Sequence, residues 1–213
     1  MNVSVVVLAA GKGTRMKSEL PKVLHQVLGK SLIAHALDTL SFINNQYVVV
    51  GHESDMVIDS LPSSTKHILQ KEQLGTGHAV ATVVSGNLFI DNKSEFTLVV
   101  PGDVPAIDAK DIELLISEVK TKSSPVGFIT SRVENPFGYG RVVRNNEGTR
   151  IIEEKDCNDD ERKINEINSG IYCFNTDFLI KNIDSLDTKN AQGEFYLTDL
   201  IGIANNQKQD IVI

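Results

Sequence analysis

Cysteine and tryptophan are nearly missing from this chain. Its 213 residues include no tryptophan and only two cysteines, Cys157 and Cys173. So few cysteines exclude a disulfide-stapled secreted scaffold, and neither cysteine has a histidine at zinc-binding spacing. We therefore expect a protein of the reducing cytoplasm without a structural zinc site.

The chain also lacks a long apolar run and an excess of positive charge. Its opening apolar stretch covers only residues 3–10 and is followed by charged residues, so we expect neither a membrane anchor nor a signal peptide. The net charge is −7, which argues against a nucleic-acid surface. The length is sufficient for one domain with a full apolar core.

Two common phosphate-binding motifs are missing as well. No glycine precedes a Lys-Ser or Lys-Thr pair at the spacing of a Walker A loop. Gly11 and Gly13 begin the dinucleotide fingerprint G-x-G-x-x-G, but Met16 occupies the third glycine position. The missing third glycine of this fingerprint disfavours a nicotinamide-dependent dehydrogenase.

What the chain does have is a glycine-rich basic loop, LAAGKGTRM at 8–16, directly behind an apolar strand predicted at 3–8. Gly11 and Gly13 allow backbone N–H groups to approach a phosphate closely, and Lys12 and Arg15 supply positive charge. A second basic element, which contains Lys22, follows the loop: Lys22 lies six residues after Met16. The pattern predicts a site for a nucleotide with several phosphates; the alternative is an ordinary strand-to-helix turn.

Strand and helix patterns alternate in the first part of the chain, to about residue 125. Apolar runs predict strands at 3–8, 47–50, 67–69 and 96–100, and helical periodicity predicts helices at 32–40, 55–61, 77–84 and 112–119. This order predicts a Rossmann-like, mainly parallel sheet flanked by helices. Ligands of such a sheet gather at the carboxyl ends of its strands.

After about residue 125 the strands are short and separated by turn residues. We predict strands at 126–133, 141–144, 150–153 and 170–174, a hairpin turn at 145–148, and helices at 177–183 and 196–205. These strands indicate a smaller antiparallel or mixed lobe on the acceptor side. Because the chain has no repeat and no linker, we predict one domain over 1–213, divided into parts of about 1–125 and 126–213.

Two further segments carry candidate ligand residues. Gln70, Gln73, Gly75 and Thr76 lie in a polar loop after a predicted strand, where glutamine amides suit a pyrimidine edge; an ordinary capped loop is an equal alternative. Asp103 follows the buried strand at 96–100. A carboxylate there can bind Mg²⁺ when phosphates fill the remaining coordination positions, and a turn-forming aspartate is the alternative.

Together these segments resemble the sugar-phosphate nucleotidyltransferases. The resemblance rests on the motifs at 8–16, 20–25, 73–78, 102–105, 139–141, 153, 166–170 and 190–199, which span nearly the whole chain. Within that superfamily the set most resembles the N-acetylglucosamine-1-phosphate uridyltransferase domains of bacterial bifunctional uridyltransferase/acetyltransferases. The segments at 73–78 and 190–194 are the narrowest part of this resemblance.

The resemblance implies a role for individual residues. Arg15, Lys22 and Asp103 would be catalytic, with the two cations on the phosphates and Asp103 on Mg²⁺. Gln70, Gln73, Gly75 and Thr76 would recognise uracil, and Gly140, Glu153 and Asn168 would recognise N-acetylglucosamine in a sugar-binding part. The remaining substrate contacts would come from Leu8, Ala9, Ala10, Gly11, Gly13, Pro101 and Gly102.

The implied reaction joins UTP and N-acetylglucosamine 1-phosphate, with Mg²⁺, into UDP-N-acetylglucosamine and pyrophosphate, for peptidoglycan and lipopolysaccharide precursors. The resemblance also implies a second metal ligand, an asparagine, and a trimer-forming acetyltransferase β-helix beyond Ile213, so we expect this chain to be monomeric. Two alternatives stay open. One is a nucleotidyltransferase for another sugar phosphate or base, and the other is a non-catalytic nucleotide-sugar-binding module.

Overall fold

A computed structural model describes residues 2–13, 16–146 and 148–213 of the chain. Its strands are β1 (Val3–Ala9), β2 (Gln26–Val27), β3 (Lys30–Ser31), β4 (Asn45–Val50), β5 (Lys66–Leu69), β6 (Phe96–Pro101), β7 (Val126–Arg132), β8 (Arg141–Asn145), β9 (Gly148–Ile152) and β10 (Glu166–Asn175). Its α-helices are α1 (Leu32–Thr39), α2 (Ser54–Ser60), α3 (Thr76–Val84), α4 (Asn87–Ile90), α5 (Ala109–Thr121), α6 (Thr176–Asn182) and α7 (Asp199–Asn206). Within these ranges every helix falls short of the length or apolarity that a bilayer crossing requires.

The predicted fold class is confirmed. The main sheet has the strand order β5-β4-β1-β6-β10-β8-β9, with β7 also paired to β10. β5, β4, β1 and β6 are mutually parallel, whereas β10 runs antiparallel to β6, β7 and β8. The antiparallel strands thus continue the parallel sheet. β2 and β3 form a separate two-stranded hairpin, which the sequence patterns did not predict.

Two apolar clusters cover the two faces of the sheet. Along β1 the side chains alternate between them, with Val6 in one cluster and Val5 and Val7 in the other, all fully buried. This double burial explains why β1 reads as a continuous apolar run in the sequence. The first cluster includes residues from Val6 to Ala204 and so joins the amino-terminal and carboxyl-terminal parts of the chain.

The antiparallel direction of β10 positions the second part of the site. Tyr172 of β10 pairs with Val99 of β6, so the residues before Tyr172 run past the carboxyl end of β6. A Cβ atom at Gly170 would lie 2.9 Å from Cγ of Pro101, the last residue of β6. The start of an antiparallel strand and the ends of the parallel strands therefore meet at one edge of the sheet.

One predicted helix differs from the structure at its start. Periodicity predicts a helix over 196–205, but α7 begins at Asp199. The backbone before it is instead hydrogen-bonded to the loop at 74–77: Phe195 donates its N–H to Leu74 O at 2.8 Å, and Leu197 donates its own to Thr76 Oγ1 at 3.1 Å. These long-range bonds tie residues 195–197 to the loop instead of to a helix, and sequence periodicity does not report such bonds.

Candidate active site

A cavity of about 920 Å³ opens at the carboxyl ends of β1 and β6. The loops after β1, β5 and β6 form one side of it, the end of β9 and the first part of β10 form the other, and the segment 194–198 joins the two. Most of the residues predicted to bind substrate line this cavity: Leu8, Ala9, Ala10, Gly11, Gly13, Lys22, Gln70, Gln73, Gly75, Thr76, Pro101, Asp103, Glu153 and Asn168.

Two of the predicted residues that the structure describes are not among those lining the cavity. Gly102 donates its N–H to Leu8 O at 2.8 Å and so ties the end of β6 to β1. Gly140 lies beside the Glu153 carboxylate, because a Cβ at Gly140 would lie 3.4 Å from Glu153 Oε2. Arg15 lies outside the residues that the structure describes.

The glycine-rich loop passes close to Lys22. Gly13 has a φ of 59°, and a Cβ there would come within 2.7 Å of Lys22 Cβ, so only glycine fits. Lys22 opens a short 3-10 turn, Lys22–Leu24, and its Nζ forms an ion pair with an Asp103 carboxylate oxygen. The positive group predicted for the phosphates and the carboxylate predicted for the metal are therefore in direct contact.

The loop after β5 is organised by its own glutamines. Gln70 is buried; its Nε2 donates to Gly75 O at 3.2 Å and lies 3.0 Å from His78 Nδ1. Gln73 Nε2 donates to Gln70 O at 3.0 Å. Because an amide nitrogen carries two N–H groups, Gln70 has committed both to the protein and Gln73 only one. Gln70 thus offers a ligand only its carbonyl oxygen.

Glu153 is a partly buried carboxyl group on the opposite side of the cavity. Burial raises the pKa of Glu153, the hydrogen bond from Thr198 Oγ1 at 3.3 Å opposes this rise, and the carboxylates of Asp156, Asp199 and Glu194 add to it. When ionised, the Glu153 carboxylate can only accept hydrogen bonds, and it faces the cavity. Hydroxyl groups of a sugar are suitable donors.

Asn168 is fixed by hydrogen bonds at both ends of its side chain. Its Nδ2 donates to Tyr172 Oη at 2.5 Å, and its Oδ1 accepts the Gly170 N–H at 3.0 Å. Its backbone N–H donates to Gly140 O at 2.9 Å. Burial raises the pKa of Tyr172, which keeps that phenol protonated. The structure therefore places Gly140 next to both Glu153 and Asn168.

Glu194 and Thr198 also line the cavity, and no role was predicted for either. Both belong to the segment 194–198, which joins the two sides of the site: Gly77 donates its N–H to Phe195 O at 2.8 Å, and Thr198 contacts Glu153. The only signal for them in the sequence is their place in the motif at 190–199. Their side chains reach the cavity through long-range packing, which the motif alone does not specify.

A family model and curated proteins match most of this chain. Residues 5–154 match the family model described as a MobA-like NTP transferase domain. The chain is 46% identical over 215 residues to the bifunctional protein GlmU of Lactococcus lactis subsp. lactis, covering 99% of this chain and 46% of that protein. It is 44% identical over 210 residues to GlmU of Fervidobacterium nodosum, with the same coverage. The chain thus spans about half the length of these curated relatives.

Solved structures share the fold at low sequence identity. One is a Bacillus anthracis protein assigned as a glucose-1-phosphate thymidylyltransferase and solved with sucrose. It has a TM-score of 0.79 and 21% identity and covers 99% of this chain and 85% of that one. Another is a UDP-glucose pyrophosphorylase in complex with UDP-glucose, with a TM-score of 0.76, 18% identity and coverage of 100% and 90%. At these identities the likeness establishes the fold alone.

Proposed function

Because the chain belongs to the MobA-like NTP transferase domain family, we propose that it transfers the uridylyl group of UTP to N-acetylglucosamine 1-phosphate. One observation carries the proposal: a single cavity holds a glycine-rich loop with Lys22 and Asp103 on one side, and Glu153 with Asn168 on the other. A nucleoside triphosphate and a sugar phosphate can therefore occupy adjoining parts of the same space. The GlmU relatives support this assignment.

In the proposed reaction, an oxygen of the sugar phosphate attacks the α-phosphorus of UTP. A new P–O bond forms to the sugar phosphate, the bond between the α-phosphorus and the bridging oxygen breaks, and pyrophosphate leaves with the electron pair. The nucleophile is already an anion, so no general base is required. Lys22 neutralises charge at phosphorus, and the backbone of Gly11 and Gly13 positions the chain of phosphates.

The residues near the phosphates fit a magnesium ion. Mg²⁺ commonly takes one or two carboxylates and fills its other positions with water and substrate phosphates, and Asp103 offers one carboxylate beside Lys22. Among the described residues no group of three or more His, Cys, Asp or Glu forms a metal cage. Bound there, the ion would supply positive charge to the phosphate oxygens.

Uracil is proposed to lie against the loop at 70–76. The carbonyl oxygen of Gln70 can accept from the uracil N3–H, since its amide nitrogen is already engaged. The remaining N–H of Gln73 can donate to a uracil carbonyl oxygen. Gly75 lets the backbone approach the base, and a larger residue is excluded because a Cβ there would come within 2.6 Å of Phe195 O.

The acetamido sugar is proposed to lie between Glu153, Asn168 and Gly140. The Glu153 carboxylate accepts from sugar hydroxyls, and the Asn168 amide faces a group that both donates and accepts, such as an acetamido group. We place this activity in the cytoplasmic synthesis of precursors for cell-envelope polymers.

The test is release of pyrophosphate from UTP, N-acetylglucosamine 1-phosphate and MgCl₂ by the purified chain. We expect turnover that EDTA abolishes and that excess MgCl₂ restores. A panel that crosses UTP, CTP and dTTP with N-acetylglucosamine, glucosamine and glucose 1-phosphates tests both specificities. Preference for CTP or dTTP would contradict the uracil assignment. Binding of UDP-N-acetylglucosamine without turnover would show a binding module instead.

A variant of Asp103 tests the proposed magnesium ligand. We expect Asp103→Asn to shift the MgCl₂ titration of activity to higher concentration by about tenfold or more, because a neutral amide is a weaker ligand for a hard cation. The matched variant is Asp108→Asn, since Asp108 follows five residues later, is not among the residues lining the cavity, and caps α5 by accepting the Lys110 N–H at 2.9 Å. An unchanged titration in Asp103→Asn would remove Asp103 from the metal site.

A further inference from the structure

An ion pair between the buried Arg141 and the partly exposed Glu154 lies next to the residues proposed to bind the sugar. The side chain of Arg141 is 2% exposed, and its Nη2 lies 2.7 Å from Glu154 Oε2. The Nη1 of Arg141 donates to Tyr139 O. Glu154 Oε2 also accepts the backbone N–H of Gly138 at 2.9 Å. These bonds lower the pKa of Glu154, the bond from Gly138 contributing most, so the carboxylate is ionised at neutral pH.

Each partner is the chain neighbour of a residue proposed to bind the sugar. Arg141 follows Gly140, and Glu154 follows Glu153. Arg141 pairs with Ile152 in the antiparallel register of β8 and β9, so the two strands present Gly140 and Glu153 side by side. The Arg141–Glu154 pair therefore fixes both the spacing of these strands at their open end and the path of the turn at 138–140.

A contribution to folding stability does not explain why an ion pair stands at this position. Taking an arginine out of water is costly, and the Nε of Arg141 has no hydrogen-bond partner within the part of the chain that the structure describes. Apolar residues of similar volume often replace a buried ion pair with no loss of stability, or with a gain. What an apolar pair cannot supply is a set of directional bonds to Gly138 N–H and Tyr139 O.

We propose that Arg141 and Glu154 are positioning residues for the acceptor sugar, which hold the backbone of 138–140 against the carboxylate of Glu153. This inference rests on the proposed function. It assigns the pair a specific consequence, namely that its loss weakens use of the sugar phosphate and leaves use of the nucleotide nearly intact. In the part of the chain that the structure describes, the hydrogen bonds and ion pairs of Arg141 and Glu154 do not reach Lys22, Gln73 or residues 8–13.

The test separates the two substrates. In Glu154→Ala we expect KM for N-acetylglucosamine 1-phosphate to rise on the order of 10-fold, since small displacements of binding groups have large effects, while KM for UTP changes by less than about 2-fold. Glu154→Gln retains an oxygen that accepts from Gly138 and Arg141, and we expect it to recover most of the loss. Should Glu154→Ala fail to fold, Arg141→Lys gives the same split, because it keeps the charge and loses the two-pronged donor.

A matched control exists on the same strand. Arg144 forms an ion pair with Glu166 at 2.5 Å but is half exposed and lies away from the cavity, so Arg144→Ala leaves both KM values unchanged. The double variant Arg141→Met/Glu154→Leu separates the positioning role of the pair from its contribution to stability. We expect its urea midpoint to equal or exceed the wild-type value while KM for the sugar phosphate stays raised.

The outcomes distinguish this inference from the proposed function. A wild-type chain that turns over neither UTP nor N-acetylglucosamine 1-phosphate would overturn the proposed function and the inference that depends on it. An active wild-type chain whose Glu154 variants raise both KM values equally, or raise neither, would overturn the positioning role alone. A double variant with an unchanged KM for the sugar phosphate would do the same.

Discussion

At the residue scale, the contact between Lys22 and Asp103 concentrates opposite charges where the phosphates are proposed to react. Lys22 is held there by the turn Lys22–Leu24 and by the close passage of Gly13, so its side chain starts from a fixed backbone. A cation placed before the substrate arrives needs little reorganisation when charge develops in the transition state. We therefore expect Lys22 to contribute more to turnover than to the binding of UTP.

We expect Lys22→Ala to reduce kcat by about 10² to 10³, the range for loss of one preorganised charge or donor, with a smaller effect on the Kd for UTP. Steady-state pyrophosphate release and calorimetric binding of UTP measure the two effects separately. Lys12→Ala serves as the comparison, because Lys12 also lines the cavity but is exposed. Equal losses in kcat and in affinity would contradict the proposed role of Lys22.

A second prediction at this scale concerns the burial of Glu153. The pKa of Glu153 in the folded chain is raised above the ordinary 4.5, so its ionisation at neutral pH lowers the free energy of unfolding. This loss of stability disappears below the ordinary pKa, where the carboxyl group is protonated in both states. We therefore expect Glu153→Gln to unfold at higher urea than wild type at pH 8 and at the same urea below pH 4.5. Urea titrations at the two pH values test this; a variant less stable at pH 8 would be inconsistent with it.

At the scale of elements, the β2–β3 hairpin carries local strain. Its tip has Leu28 at φ 52° and Gly29 at φ 77°, and the Leu28 side chain is 95% exposed. A turn of this kind favours Asn-Gly, and leucine in this region costs about 1–2 kcal/mol. We expect Leu28→Asn to raise the unfolding free energy by about 1 kcal/mol in urea titrations, since no buried contact is lost.

The neighbouring glycine provides the control. Among the described residues no atom would lie within 4 Å of a Cβ at Gly29, so Gly29→Ala tests backbone strain alone, and we expect a loss of about 1 kcal/mol. A Leu28→Asn chain less stable than wild type would mean that Leu28 makes contacts its exposure does not suggest.

The strands and helices also show how much of the fold and of the site could be predicted from the sequence. The apolar runs and helical periods placed most strands and helices close to their observed bounds, and the motifs identified Lys22, Asp103, Glu153 and Asn168, which all line one cavity. The hairpin β2–β3 was missed because its strands have two residues each. The antiparallel pairing of β10 with β6 was not predicted either, because strand neighbours far apart in sequence leave no local signal.

At the scale of the whole molecule, one apolar cluster joins both parts of the chain. Phe174 of β10 is fully buried in the same cluster as Val6 of β1, and it stacks on Tyr172 with ring centroids 5.7 Å apart. A cluster of this kind predicts that the first and second parts unfold together, even though the strand directions differ between them.

We expect Phe174→Ala to lower the unfolding free energy by about 3–5 kcal/mol and to preserve a single transition. Far-UV circular dichroism and tyrosine fluorescence, followed in the same urea series, should give the same midpoint. Phe137→Ala is the control, since Phe137 is 77% exposed and its loss should change stability by less than about 0.5 kcal/mol. Two separate transitions in Phe174→Ala would show that the parts unfold independently.

The late position of β10 in the chain also matters while the protein is being made. β6 needs β10 on its open side, yet Asn175 follows Pro101 by 74 residues. At a ribosomal speed of 5–20 residues per second, the edge of β6 waits roughly 4 to 15 s for its partner. During that interval an apolar strand with unpaired N–H and C=O groups is open to pairing between nascent chains. The rate of synthesis, as well as the final free energy, therefore sets the yield of folded protein.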